Sequence, residues 1–386
     1  MVRHMANASS LQLKNMKYYL VAGERSGDLH GANLLKGIKQ NDPEATFRGW
    51  GGDMMQAEGM ELVTHYKDTA FMGFLEVALN VHKISGFLKK CKNDILAYQP
   101  DAIILIDYPG FNLRIAAFAK KNGLKVFYYI SPKVWAWNQK RALKIKQHVD
   151  HMFVIFPFEI DFYKKFDYEV DYVGNPLMDA IKAFSPDPYF RVKNNLDLQK
   201  PIIALLPGSR RQEIISMLDI MLTVQPHFPD YQFAIAGVRN LPSALYDKYL
   251  SNGKATMIYE ATYDLLHVSE AALVTSGTAT LETALLNIPE VVCYKTSAFS
   301  YAVARRLIRV RFISLVNLIM DKEVVRELIQ DDLTEEKLVE ELKSIISGGN
   351  KRDIQLKDYA KLHQLVGGAG ASERAGGLMV EYLKVS

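Results

Sequence analysis

The chain reads as an α/β protein of two doubly wound domains that face each other across a cleft. Three observations predict this. Short apolar runs alternate with helix-periodic stretches through almost the whole length, the pattern of parallel strands joined by helices. The alternation breaks once, at residues 184–200, where Pro, Asn and charged residues gather. A chain of 386 residues is also too long for one typical core, so two domains of about 150–200 residues each are expected. The expected division is an N-terminal domain over 16–190, a C-terminal domain over 191–366, and a last helix over 367–386 that packs back on the N-terminal domain. Residues 1–15 are polar and lack the apolar stretch of a signal peptide, so they read as a disordered lead-in to a fold that starts at Met16.

The first half opens on a strand, Lys17–Ala22, a turn, Gly23-Glu-Arg-Ser-Gly-Asp28, and a helix from about Leu29 to Gln40. The turn is not GxGxxG, which argues against a dinucleotide. Glu24 and Asp28 would repel a phosphate placed there; such acids suit a hydroxyl-rich ligand, such as a sugar, unless Asp28 only caps the helix. Phe47–Gly52 gives a Gly-rich strand end around Trp50. Val77, Val81, Ile84, Leu88, Cys91, Ile95 and Tyr98 recur in steps of 4 and 3, one face of a long helix. Phe71, Met72, Phe74 and Leu75 precede it, outside that stripe, with Lys83, Lys89, Lys90 and Lys92 nearby. Apolar groups rimmed by lysines fit a contact with a membrane surface, or else complete the core.

Pro100–Ile106 is a buried strand that delivers Asp107 at its carboxyl end, where ligands bind in open α/β sheets. An acid there is a general-base candidate, or a helix N-cap. The next strand, Lys125–Ile130, ends in Ser131-Pro-Lys-Val-Trp-Ala-Trp137. Trp135 and Trp137 so close to a strand end suit a rigid wall for a sugar or acyl chain. Asn138–His148 reads as a basic helix, and Met152–Ile155 and Val170–Val173 as the last strands of this half.

The second half has strands near 202–206, 232–236, 255–259, 272–275 and 290–294. Ile202–Leu206 ends in Pro207-Gly208-Ser209-Arg210 before a helix, and amides at a helix N-terminus hold anions readily. Arg210 is unfavourable in a first turn without an anionic partner, which a diphosphate would supply. The strand near 272–275 ends the same way in Ser276-Gly277-Thr278, with Thr280 next along the helix and Glu282 four residues after Thr278, on the same face. A carboxylate there can accept hydrogen bonds from ribose hydroxyls. Two anion-ready turns and one acid together suggest a nucleoside diphosphate. Arg305, Arg306, Arg309 and Arg311 form either a solvated face or a phosphate and membrane contact. Helices are expected at Glu323–Gln330, 334–347 and 352–366.

Composition narrows the class. Net charge +4 and pI about 8.7 suit an anionic substrate or membrane surface but are too weak to imply nucleic acid. Cys91 and Cys293 form no metal-ligand spacing and suggest a reducing compartment. No apolar run of about 18 residues is present, so no transmembrane helix is expected.

Several motifs together resemble one family, the bacterial lipid-A-disaccharide synthases: Ala22-Gly-Glu-Arg-Ser-Gly-Asp28, Met72-Gly-Phe-Leu-Glu76, Ile106-Asp-Tyr-Pro-Gly-Phe-Asn112, Ser131-Pro-Lys-Val-Trp-Ala-Trp137, Leu206-Pro-Gly-Ser-Arg210, Ser276-Gly-Thr-Ala-Thr-Leu-Glu282 and Ser314-Leu-Val-Asn317. Three positions depart from the family pattern: Arg25 where Ala is common, Gly110 where an Asp often follows the Pro, and Val316 in place of a Pro. The resemblance implies the GT-B fold of two Rossmann-like domains. It implies transfer from UDP-2,3-diacylglucosamine to 2,3-diacylglucosamine 1-phosphate, giving the β-1,6 disaccharide 1-phosphate and UDP at the cytoplasmic face of the inner membrane. Partners would be the UDP-sugar lipid donor, the phosphorylated glycolipid acceptor and an anionic membrane surface; a homodimer stays open.

On this reading Asp107 is the base. Gly208, Ser209, Arg210, Ser276, Gly277, Thr278, Thr280, Glu282 and, by resemblance, Asn317 hold the donor. Glu24, Ser26, Gly27, Asp28, Trp135 and Trp137 face the acceptor. The chain has no Asp-x-Asp, the usual metal–diphosphate signature of the other glycosyltransferase architecture, so neither a catalytic metal nor a cofactor is expected. The alternatives are a UDP-sugar epimerase on the same fold and a non-catalytic lipid-binding protein.

Overall fold

The computed structural model describes residues 15–69, 81–239, 241–250, 255–297, 301 and 310–385. The apolar segment Phe71–Leu75, Arg305, Arg306 and Arg309 lie outside these residues.

The first sheet has seven strands: β1 (Lys17–Ala22), β2 (Thr46–Gly51), β3 (Glu61–His65), β4 (Ala102–Ile106), β5 (Lys125–Tyr129), β6 (His151–Val154) and β7 (Asp171–Tyr172). Their order is β3-β2-β1-β4-β5-β6-β7, and every pairing is parallel. The second sheet has six: β8 (Ile202–Leu206), β9 (Gln232–Gly237), β10 (Thr256–Tyr259), β11 (Ser269–Thr275), β12 (Glu290–Tyr294) and β13 (Arg326–Ile329). Their order is β10-β9-β8-β11-β12-β13, again all parallel. The central strands β4 and β8 are buried at every position, because helices cover both faces of a parallel sheet. Alternate residues feed opposite faces. Tyr19, Val21, Ile103 and Leu105 join one core cluster, while Tyr18, Leu20, Ile104 and Ile106 join the other.

Two strands depart from the sequence reading. β3 has no counterpart in the sequence reading; it is a short edge strand with few fully buried residues, so its apolar signal is weak. β13 occupies part of the stretch read as the helix Glu323–Gln330. Glu323, Arg326 and Glu327 give that stretch a helical look, but pairing of β12 with Arg326–Ile329 prevails.

The last helix, Ala371–Lys384, crosses back onto the helix Arg25–Asn41. The crossing depends on two glycines. A Cβ on Gly376 would lie 2.5 Å from the carbonyl carbon of Gly37, so the backbones meet closer than side chains allow. Arg374 Nε donates to the carbonyl of Val173 at 2.9 Å and ties the start of this helix to the first sheet. A second tie runs the other way. Phe156, just after β6, is buried in the cluster of Leu281, Leu285, Val292 and Leu315 of the second half.

Candidate active site

The strand order reverses between β1 and β4 in the first sheet and between β8 and β11 in the second. Ligands gather beyond the carboxyl ends of strands at such points. The turns after all four strands carry the motifs singled out in the sequence.

Asp107 follows β4 with φ 44°, and Tyr108 has φ 50°. Consecutive left-handed residues other than glycine are costly, on the order of 1–3 kcal/mol each, and persist only where surroundings dictate them. Here the surroundings do. Asn112 Nδ2 donates to the carbonyls of Asp107, Ile106 and Val21 at 2.8, 3.2 and 3.3 Å. Tyr128 Oη donates to the Asp107 carbonyl at 2.5 Å. The Tyr108 ring lies over Gly23, where a Cβ would stand 2.4 Å from it, so the two N-terminal turns are locked together. Asp107 is exposed to solvent at the cleft, yet protein surrounds its carboxyl on most sides. That burial, and then the nearby charge of Glu24, push its pKa up to about 6, while Lys133 pulls the other way. The carboxyl is therefore ionised at neutral pH and basic enough to accept a proton.

The other N-terminal candidates divide. Glu24 and Ser26 are exposed. Asp28 is only 2 % exposed and does not face a ligand. Its Oδ1 accepts from the amides of Gly52 and Met55 at 2.8 and 3.1 Å, and its Oδ2 from that of Met54 at 3.1 Å. It caps the neighbouring helix Asp53–Ala57 rather than its own. Gly27 is buried against β1, where a Cβ would meet that of Ala22 at 3.2 Å, so its role is close packing. Trp135, expected as a ligand wall, is 5 % exposed and packs edge-on against Phe158 at 4.9 Å in the core. The one-turn helix Val134–Trp137 holds it there; of Trp137 only the backbone is described.

The second half presents a cavity of about 490 Å³ beyond β8 and β11, lined by Gly208, Ser209, Arg210, Ser276, Gly277, Thr278 and Glu282 among others. Ser276 donates its amide to the Cys293 carbonyl at 3.1 Å and its hydroxyl to that of Ile313 at 3.0 Å, which fixes the turn. Gly277 and Thr278 open the helix Thr278–Leu285. Glu282 accepts from Tyr263 Oη at 2.9 Å, and burial raises its pKa against that bond.

Two expected donor contacts are internal. Thr280 is fully buried and donates its hydroxyl to the Gly277 carbonyl at 2.9 Å. Asn317 is also fully buried, and its amide is saturated. Nδ2 donates to the Val325 carbonyl and Glu327 Oε1 at 2.8 and 2.9 Å, while Oδ1 accepts from the amides of Val324 and Val325 at 2.7 and 3.0 Å. Glu327 in turn accepts from the amides of Ile313 and Ser314 at 3.0 and 2.9 Å. Asn317 thus positions Ser276 through Glu327 and Ile313.

Sequence reasoning passed over Lys133 and Glu213. Lys133, in the first half, is exposed and lines the cavity of the second. It sits inside the Ser-Pro-Lys-Val-Trp motif, beside the more conspicuous tryptophans. The three departures have simple settings. Arg25 reaches across to Glu260 at 3.4 Å, a Cβ on Gly110 would meet nothing within 4 Å, and Val316 is buried in the helix Leu315–Met320.

A family model described as lipid-A-disaccharide synthetase matches residues 18–378. Curated lipid-A-disaccharide synthases from Geobacter metallireducens and Syntrophus aciditrophicus are 37% and 38% identical over 375 and 374 residues, covering 96% and 95% of this chain and 98% of each relative. Among solved structures, a UDP-GlcNAc 2-epimerase from Neisseria meningitidis bound to UDP-GlcNAc superposes with TM-score 0.65 at 13% identity, covering 96% of this chain and all of that one. The glycotransferase of kitacinnamycin superposes with TM-score 0.66 at 11% identity, covering 96% and 100%. These two likenesses carry the fold alone, the GT-B pair of Rossmann-like domains. The sequence matches carry more, and by them the chain belongs to the lipid-A-disaccharide synthase family, the glycosyltransferases of lipid A biosynthesis.

Proposed function

We propose that the chain joins UDP-2,3-diacylglucosamine to 2,3-diacylglucosamine 1-phosphate with inversion at the anomeric carbon. UDP occupies the cavity of the second half, and the acceptor lies against the first. Asp107 takes the proton of the acceptor 6-hydroxyl, help worth roughly 10²–10⁴-fold in rate. The freed oxygen bonds to the anomeric carbon from the face opposite the diphosphate. The bond from that carbon to the diphosphate breaks, and its electron pair leaves on UDP. Arg210 and the amides at Gly277–Thr278 stabilise the charge that develops there.

The observation that carries the reading is the juxtaposition itself. A basic carboxylate ends β4 on one side, a cavity built from two strand-to-helix turns lies on the other, and Lys133 belongs to both. Mass spectrometry of the products formed from the two diacylated substrates tests it. The disaccharide 1-phosphate is expected only when both are present; a sugar isomer formed from donor alone would establish the epimerase instead.

The membrane belongs to the same proposal. Among the described residues no helix is long and apolar enough to cross a bilayer. We place the enzyme on the cytoplasmic face of the inner membrane, held by Phe71, Met72, Phe74, Leu75 and neighbouring lysines. Serine at those four apolar positions is expected to release folded protein from anionic liposomes, and unchanged sedimentation would refute the contact.

A further inference from the structure

The turn expected to hold the diphosphate already holds an anion of its own. Glu213 Oε2 accepts from the amides of Ser209 and Arg210 at 3.3 and 3.2 Å, and its Oε1 accepts from Arg210 Nη1 at 2.8 Å. One carboxylate therefore collects two main-chain donors and a guanidinium, the donor set a phosphate oxygen would use. It lies hard against the turn: Gly208 has φ +98°, and a Cβ there would stand 2.6 Å from Glu213 Oε2. Glu213 also lines the cavity.

An acid three residues past the N-cap often closes a helix start in this way, as a simple cap. Two features go beyond that. A cap needs only the amide, whereas this carboxylate also turns the Arg210 side chain back on its own helix, although that side chain is otherwise 83 % exposed. The two amide contacts, at 3.3 and 3.2 Å, are longer than the usual N–H···O bond of about 2.9–3.0 Å, whereas the guanidinium contact is short at 2.8 Å. Each of the two amides has one hydrogen to give, and a carboxylate seated on them repels a diphosphate brought to the same turn, so the two anions compete for this site.

We propose that Glu213 is an internal stand-in for the diphosphate, a positioning residue that keeps Arg210 parked until the donor displaces it. Displacement transfers Arg210 and the Ser209 and Arg210 amides to the nucleotide together. Departure of UDP restores the clasp, so the same residue weakens the hold on UDP. This rests on the placement of UDP given above.

Calorimetric titration of UDP into the full-length wild type and the Glu213→Gln and Arg210→Ala variants tests it, with uridine as the uncharged comparison. Glutamine keeps the shape and one acceptor oxygen but removes the charge. Tightening of UDP by about fivefold or more is expected, the gain when a competing closed state is removed, with uridine unchanged. Unchanged or weaker UDP binding by Glu213→Gln, alongside weakened binding by Arg210→Ala, would refute the stand-in and leave the site intact. UDP binding that Arg210→Ala does not weaken would overturn the site, and the stand-in with it. Thermal unfolding of each variant separates a lost helix cap from a lost competitor.

Discussion

The two turning points of the molecule are built alike and used differently. Beyond β1 and β4 most polar groups are turned inward. Asp28 caps a neighbouring helix, Asn112 braces three carbonyls, and Trp135 fills the core. Glu24, Lys133 and Asp107 stay exposed, and burial of its carboxyl pushes the pKa of Asp107 up to about 6. Beyond β8 and β11 the turns line a cavity, and there the Ser209 and Arg210 amides and the Arg210 guanidinium are held by a single carboxylate, Glu213. The first site invests its motif in holding one carboxylate in a strained place; the second spreads its motif over many weak donors. A single deletion should therefore be severe on the first side and graded on the second.

The largest expected effect breaks the first side. Asp107→Asn keeps the shape and removes the proposed base, so kcat should fall by roughly 10²–10⁴-fold. Turnover within threefold of wild type would show that another group takes the proton.

The pH profile sharpens the contrast. Asp107 must be ionised to act, so kcat/KM should decline with one-proton slope as pH drops through about 6. Glu24 raises that pKa and Lys133 lowers it. Glu24→Gln should shift the decline to lower pH, and Lys133→Ala to higher pH. Profiles that superpose would mean that neither charge acts on the base.

Smaller effects fall on stability. Asn317→Ala strands the buried amides of Val324 and Val325, at about 1–3 kcal/mol for each one left unpaired, read from denaturant unfolding. Asp28→Ala removes a cap and should cost about 1–2 kcal/mol, with acceptor KM unchanged in the folded fraction. A large rise in that KM without loss of stability would return Asp28 to the binding site.

Much of this was legible from residue order. β4 and β8 are unbroken apolar runs, and each is followed by a turn that cannot continue the strand. The sites beyond them follow from that pattern. β3 is hidden because it buries little apolar surface, and β13 because Glu323, Arg326 and Glu327 lend its stretch a helical pattern. The site residues were legible as types and not as directions. Asp28, Thr280 and Asn317 are polar residues in the right motifs, yet each spends its hydrogen bonds inside the protein. Lys133 and Glu213 escaped notice for the opposite reason: neither stands out in its motif until the chain folds them toward the cavity.

Residue order is enough to give the two parallel sheets, the family and the polar turns that end their central strands, because periodicity and motif spacing are local properties. Which of those polar groups face the cleft depends on the folded molecule. Hydrogen-bond capacity is finite, and whether a side chain spends it inside the fold or leaves it for a ligand depends on neighbours brought from far along the chain.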